Sequence, residues 1–232
     1  MKKHIPNFLT ICNLLCGCLA VASAYTGEYQ MALILILAAS VFDFLDGFAA
    51  RLLNAYSNIG KELDSLADMV SFGFAPAMIA STLLWENTPY HHQYWCWVGL
   101  AIAAFSALRL AIFNIDDRQS SSFIGLATPA NAIFWAGLAY SYSTQMYDLP
   151  FVTVLLIAVS CFLLVCKLPM FSLKFKNFGW KGNEVQFILI ICSAILLIIF
   201  QLKGFVLKSF VWIILLYILL SVIKFLLEKN KK

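Results

Sequence analysis

The chain has 232 residues, 62% of them hydrophobic and 12% charged, with a mean hydropathy of +0.86. That composition excludes a soluble globular domain and defines an integral membrane protein. Sixteen Lys and Arg against twelve Asp and Glu leave a formal charge of +4, which in a membrane chain reflects loop placement and makes nucleic acid no partner.

In chain order, eight apolar runs of about 20 residues occupy 7–26, 30–53, 61–85, 94–115, 126–146, 150–167, 185–202 and 205–227. They predict an all-α integral membrane protein of about eight transmembrane helices, forming a single domain over 1–232. The first run, with Lys2-Lys3-His4 before it and Ala22-Ser23-Ala24 near its end, imitates a cleavable secretory signal. Asn7, Thr10 and Asn13 interrupt it at helical spacing, which suits a helix lining a polar site and marks the run as part of the mature chain. The seven cysteines, Cys12, Cys16, Cys18, Cys96, Cys161, Cys166 and Cys192, stand in apolar runs with no CxxC pair. They read as small buried hydrophobes and indicate neither a disulfide framework nor a zinc site.

Threading the runs alternately through a bilayer gathers fourteen cations on one side, including Lys2, Lys3, Arg51, Lys61, Arg118, Lys167, Lys174, Lys176 and Lys181, and leaves only Lys203 and Lys208 on the other. The positive-inside bias then places both termini and the 54–60, 116–125 and 168–184 loops in the cytoplasm. His91 and His92 fall on the opposite side and read as loop residues.

Four of the twelve acidic residues, Asp43, Asp46, Asp64 and Asp68, fall within 26 positions at the cytoplasmic ends of the second and third runs. Carboxylates are costly in hydrocarbon and must be paired or bound to a cation. Asp43 and Asp46 are i and i+3, while Gly60, Asp64 and Asp68 run i, i+4, i+8, so a short turn between the helices brings both acid stripes face to face. Arg51 and Lys61 are the only cations nearby, at helix ends from which they can snorkel away. Hard oxygen ligands in excess of cations select Mg²⁺ or Mn²⁺, with Ca²⁺ a third candidate, and four carboxylates suffice for two ions. The spacing also allows a helix-packing network or an ion-coupled transport path, although transport acids sit nearer the bilayer midplane. Gly47, Ala49, Ala50 and Gly60 clear space beside the acids for a phosphate-bearing ligand. There is no P-loop or dinucleotide glycine pattern, so the pattern points to phosphoryl-group chemistry on a lipid substrate.

The stretch Asp43-x2-Asp46-Gly47-x2-Ala50-Arg51-x8-Gly60-x3-Asp64-x3-Asp68 resembles, without departure, the motif of the CDP-alcohol phosphatidyltransferases. That resemblance implies a direct displacement in which a CDP-linked lipid gives its phosphatidyl group to a small alcohol and CMP leaves. It implies two divalent metals held by Asp43, Asp46, Asp64 and Asp68, with Asp68 also the base, and a homodimer in a prokaryotic inner membrane with its site facing the cytoplasm. Residues 4–185 are similar to the phosphatidylserine synthase branch. Ile5-Pro6-Asn7-x2-Thr10-x2-Asn13-Leu14 resembles its first-helix motif bordering the cytidine site, and Ser71-Phe72-Gly73-Phe74-Ala75-Pro76 a stretch typical of serine-using members. Arg109-Leu110-Ala111-Ile112-Phe113-Asn114 and Pro169-Met170-Phe171-Ser172-Leu173-Lys174 resemble two further motifs of the branch. The resemblance thus implies CDP binding by Asn7, Thr10, Gly47, Ala50, Arg51 and Gly60, and serine binding by Arg109, Asn114 and Lys174. CDP-diacylglycerol, L-serine and membrane lipid are the expected partners. A sister transferase using glycerol 3-phosphate or an inositol phosphate shares every aspartate. One departure is Ala127 in Gly125-Leu126-Ala127-Thr128-Pro129, where the branch has proline; it removes no chemical group and is expected to loosen the loop entering the fifth run.

Overall fold

The computed structural model describes residues 4–88, 90–116, 123–143, 150–171, 179–180 and 182–229. Helices α1 (His4–Tyr25) and α2 (Tyr29–Leu52) run antiparallel after a tight turn at Gly27, whose φ is 74°. Small residues let the two backbones approach closely. Ala20 and Ala24 of α1 and Ala32 and Ala39 of α2 are fully buried, and α1 belongs to the core of the bundle.

The end of α2 decides whether the acid stripes meet. Asn54 takes a left-handed φ of 48°, Ala55 N–H donates to the Ala50 carbonyl at 2.9 Å, and Asn54 N–H to the Arg51 carbonyl at 3.3 Å. These two bonds make a Schellman closure. Ser57 then caps helix α3 (Asn58–Asp68), its Oγ accepting from Gly60 N–H at 3.0 Å. The reversal therefore rests on a backbone state that β-branched side chains resist. Asn54→Val is expected to lower stability by about 1–2 kcal/mol and Asn54→Gly to leave it unchanged or higher, as read by thermal unfolding.

Helix α3 continues through a π-helical turn, Met69–Phe74, into α4 (Ala75–Asn87). Pro76 explains the widening: it has no N–H for the Phe72 carbonyl, and its ring crowds that group. The backbone relaxes into longer-reaching bonds, with Ala75 N–H donating to the Val70 carbonyl. Ser71, Phe72 and Gly73 of this turn are buried. Ser71 Oγ donates to the Asn13 carbonyl at 2.9 Å. A Cβ added at Gly17 would sit 2.7 Å from Ser71 Cα, so α1 tolerates no side chain there.

A 3-10 stretch (Tyr90–Leu100) leads into α5 (Ala101–Ile115), followed by β1 (Phe123–Ile124), α6 (Thr128–Tyr142), α7 (Pro150–Val165), β2 (Pro169–Met170) and α8 (Glu184–Leu202). A short turn at Val206–Lys208 precedes α9 (Ser209–Lys229). The two strands pair antiparallel, Phe123 opposite Met170 and Ile124 opposite Pro169. Each of the eight predicted runs contains a helix. Six are long and apolar enough to cross a membrane, with 58–86 and 94–115 each continuous. Helices α6 and α7 have 15 and 16 described residues, fewer than the roughly 20 that lipid thickness demands. α6 lies inside the bundle, with Ala132, Trp135, Ala136 and Ala139 fully buried, and a helix wrapped by protein has no lipid to match. α8 and α9 instead turn Ile191, Ile195, Ile198, Leu219 and Leu226 outward, as lipid-facing helices do.

The segment around Ala127 is tied into the fold by backbone hydrogen bonds. Gly125 N–H donates to the Leu168 carbonyl at 2.9 Å and Leu126 N–H to the Leu163 carbonyl at 2.8 Å. Ala127 itself sits at φ −65°, ψ 138°, the φ that proline would impose. Backbone bonds on the preceding residues hold the loop that the proline ring would otherwise stiffen.

Candidate active site

Asp43 and Asp46 lie one turn apart on α2, and Asp64 and Asp68 one turn apart on α3; the capped reversal folds the two stripes together. One oxygen from each of Asp43, Asp64 and Asp68 falls within 4.8 Å of the others. The Asp43 and Asp64 carboxyls face each other across the two helices, like charges that a bound cation would offset. Asp64 Oδ1 is buried and has no hydrogen-bond partner. Three converging carboxylate oxygens, beside a buried Asp64 oxygen that lacks a partner, fit a divalent cation.

Asp46 stands outside this trio. It is 6% exposed, and its Oδ2 accepts a hydrogen bond from Thr10 Oγ1 at 2.6 Å. Asn13 Nδ2 donates to Asp68 Oδ1 at 3.2 Å. The polar stripe of α1 thus serves one acid on α2 and one on α3, two partnerships that helical spacing alone does not disclose.

A cavity of about 460 Å³ opens beside the acids, with Asp46 and Asp64 in its wall. Five of the six residues expected to bind CDP line it: Asn7, Thr10, Gly47, Ala50 and Gly60. Arg51, exposed at the end of α2, does not. Tyr56, Ser57 and Asn58 line it as well. They belong to no motif, and their only signal in the sequence is Ser57 as a helix cap. The two glycines differ in kind. A Cβ at Gly60 would meet Ser57 Oγ at 2.9 Å and Asn7 Oδ1 at 3.0 Å, whereas one at Gly47 would meet nothing within 4 Å. The first glycine is closely packed, whereas the fold itself leaves the space beside the second open.

Arg109 borders a second cavity of about 340 Å³, together with Asp116 and Lys167. It is 6% exposed, its Nε donates to the Leu126 carbonyl at 2.7 Å, and its guanidinium lies 5.5 Å from the Phe113 ring centroid. Electrostatic reach connects it to Asp68. Its terminal amino groups have no hydrogen-bond partner among the described residues, and a buried cation of this kind calls for an anion. Asn114 is not in this cavity; its Nδ2 donates to Ser65 Oγ at 2.8 Å, tying α5 to α3 beside Asp64. Lys174 lies outside the described residues, as do Arg118, Lys176 and Lys181.

The acids, the cavity and the helical frame are those of a phosphatidyl-transferring membrane enzyme, and residues 3–166 match the model of the CDP-alcohol phosphatidyltransferase family. The chain belongs to that family. It is 32% identical over 237 aligned residues, 97% of this chain and 95% of the relative, to a CDP-diacylglycerol-serine O-phosphatidyltransferase of Helicobacter pylori. Proteins with the same name from Bacillus subtilis and Saccharomyces cerevisiae are each 36% identical to it. The alignments span 141 residues (61% of this chain, 78% of the relative) and 157 residues (59% and 54%) respectively.

Proposed function

We propose that the chain transfers the phosphatidyl group of CDP-diacylglycerol to the hydroxyl of L-serine, giving phosphatidylserine and CMP. The observation that carries this reading is the half-buried trio of Asp43, Asp64 and Asp68, of which Asp64 lines, with Asp46, a cavity that Gly47 leaves open. The names of the relatives supply the acceptor. Two divalent cations, Mg²⁺ or Mn²⁺ with Ca²⁺ a third candidate, held by Asp43, Asp46, Asp64 and Asp68, would neutralise the diphosphate and make its phosphorus more electrophilic.

The remaining work falls to the chain itself. Asn7 and Thr10 border the nucleotide cavity, and Gly47, Ala50 and Gly60 give the cytidine room. Thr10 holds Asp46 and Asn13 holds Asp68, so neither acid needs to reorient when substrate arrives. Asp68 takes the proton of the serine hydroxyl as its oxygen bonds to the lipid-side phosphorus, and the bond from that phosphorus to the CMP oxygen breaks. Arg109 receives the serine carboxylate on its terminal amino groups. Arg109→Ala is accordingly expected to raise the serine KM about ten- to a hundredfold while sparing the KM for CDP-diacylglycerol; steady-state kinetics with each substrate varied in turn check this.

The whole chain acts as one membrane-embedded unit in a prokaryotic inner membrane, and the cation bias supports a site facing the cytoplasm. The family resemblance adds a homodimer, checked by light scattering of the purified protein. The reading itself is tested by CMP release from purified protein given CDP-diacylglycerol and Mg²⁺ or Mn²⁺, with serine, glycerol 3-phosphate, an inositol phosphate or no acceptor in parallel. Release that requires both metal and serine, with phosphatidylserine as product, supports it. Release only with another alcohol keeps the family and overturns the acceptor, and no release with any acceptor overturns the reading entirely.

A further inference from the structure

Arg109 reaches its position through a relay that ends far along the chain. Its guanidinium plane is set by the Leu126 carbonyl, and Leu126 belongs to a non-helical segment between β1 and α6. That segment is held from outside: Leu126 N–H on the Leu163 carbonyl, Gly125 N–H on the Leu168 carbonyl, and the Phe123–Met170 and Ile124–Pro169 pairs of the ladder. Two residues of pairing do not sustain a ladder by themselves. What seats it is α9. The Tyr217 hydroxyl donates to the Phe171 carbonyl at 3.2 Å, directly after β2, and the two rings pack with centroids 5.0 Å apart. Tyr217, Phe171, Met170, Leu126 and Leu189 form one buried apolar cluster. Tyr217 also lies within electrostatic reach of Arg109.

We infer that Tyr217, on a helix beyond the part of the chain that matches the family model, is a positioning residue for the acceptor: through the Phe171 carbonyl and the ladder it fixes the Leu126 carbonyl and so aims Arg109. This rests on the reading of Arg109 as the group that receives the serine carboxylate. A long Arg side chain loses much rotamer freedom when it binds, and one already clamped at Nε loses less. Freeing the clamp therefore weakens acceptor binding without touching the reacting atoms.

The test is Tyr217→Phe, which keeps the ring and its apolar packing and removes only the hydroxyl. Serine KM is expected to rise about three- to tenfold, with kcat and the KM for CDP-diacylglycerol unchanged. Arg109→Ala and the double variant are measured in parallel. With Arg109 absent, adding Tyr217→Phe should change serine KM no further, because the two act as one unit. The serine-induced shift in thermal unfolding, in the presence of Mg²⁺, reads the same binding loss without turnover and serves if activity is low.

Each outcome decides. A rise confined to serine and dependent on Arg109 supports the inference. If Arg109→Ala raises serine KM and Tyr217→Phe leaves both it and the serine shift unchanged, the positioning role fails while the acceptor reading stands. If Arg109→Ala itself leaves serine KM unchanged, the acceptor reading falls and takes the inference with it. An equal loss in both substrates' KM and in kcat assigns Tyr217 to general packing and overturns the proposal.

Discussion

Asp64→Asn is expected to lower CMP release by at least about a thousandfold, since charge stabilisation by a bound metal is worth several kcal/mol and each 1.36 kcal/mol is a factor of ten in rate. The same substitution should stabilise the metal-free protein. In the wild type, one oxygen of Asp64 lies within 4.8 Å of one of Asp43, and Asp64 Oδ1 is buried without a partner. An asparagine brings a donor to the Asp43 carboxylate and removes one of four crowded acids, a gain of about 1–3 kcal/mol by the usual cost of an unsatisfied buried group. Divalent metal should raise the unfolding temperature of the wild type, by the equivalent of about 2.7 kcal/mol at a hundred times its Kd, and raise that of the variant far less. Thermal unfolding with EDTA and with Mg²⁺ or Mn²⁺, beside the activity assay, checks all three signs. A variant that loses activity yet keeps the full metal shift would remove Asp64 from the ligand set.

Gly47→Leu is expected to separate folding from function at the other wall. Nothing lies within 4 Å of a Cβ at this position, and replacing a helical glycine adds about 0.5–1 kcal/mol of helix stability. Unfolding temperature should therefore hold or rise. The added side chain projects into the nucleotide cavity, and affinity for CMP and CDP-diacylglycerol should fall about a hundredfold or more, which nucleotide binding by calorimetry would read directly. Gly60→Leu makes the opposite control: its Cβ crowds Ser57 Oγ and Asn7 Oδ1, and displacing the Ser57 cap should lower stability by about 1 kcal/mol. Equal stability losses at both glycines would contradict the assignment of Gly47 to ligand clearance.

The acids were legible in the sequence because helical periodicity is local: i, i+3 and i, i+4 spacing puts them on one face wherever the helix goes. The small residues beside them could be read for the same reason. Partners between helices follow another rule. Asn13 and Thr10 announce a polar stripe on α1, but that one meets Asp68 and the other Asp46 depends on how three helices pack. Arg51 belongs to the same motif and yet is exposed at the last turn of α2 and not among the residues lining the cavity. The π-helical turn had a visible cause in Pro76, yet a proline inside an apolar run predicts a disturbance without saying which kind. Hydropathy also does not separate a helix facing lipid, such as α8, from one buried in protein, such as α6. Tyr217 had no signal at all: it is one aromatic among many on a lipid-rich helix, and only the fold brings it beside the segment that holds Arg109.

The π-helical turn has a consequence for how the gene can change. An α-helix advances about 100° per residue, so the widened turn behaves as a point where one residue more or less resets the phase between α3 and α4. α4 is locked by its buried face, with Ala77, Ile79, Ala80, Leu83 and Leu84 fully enclosed. A single-codon deletion within 69–74 would leave that face in place and swing α3 about its axis, carrying Asp64 and Asp68 away from Asp43. An in-frame loss of one residue here should yield a protein that inserts into the membrane and releases no CMP, whereas a deletion of the same size at Lys229, exposed at the end of α9, should be silent.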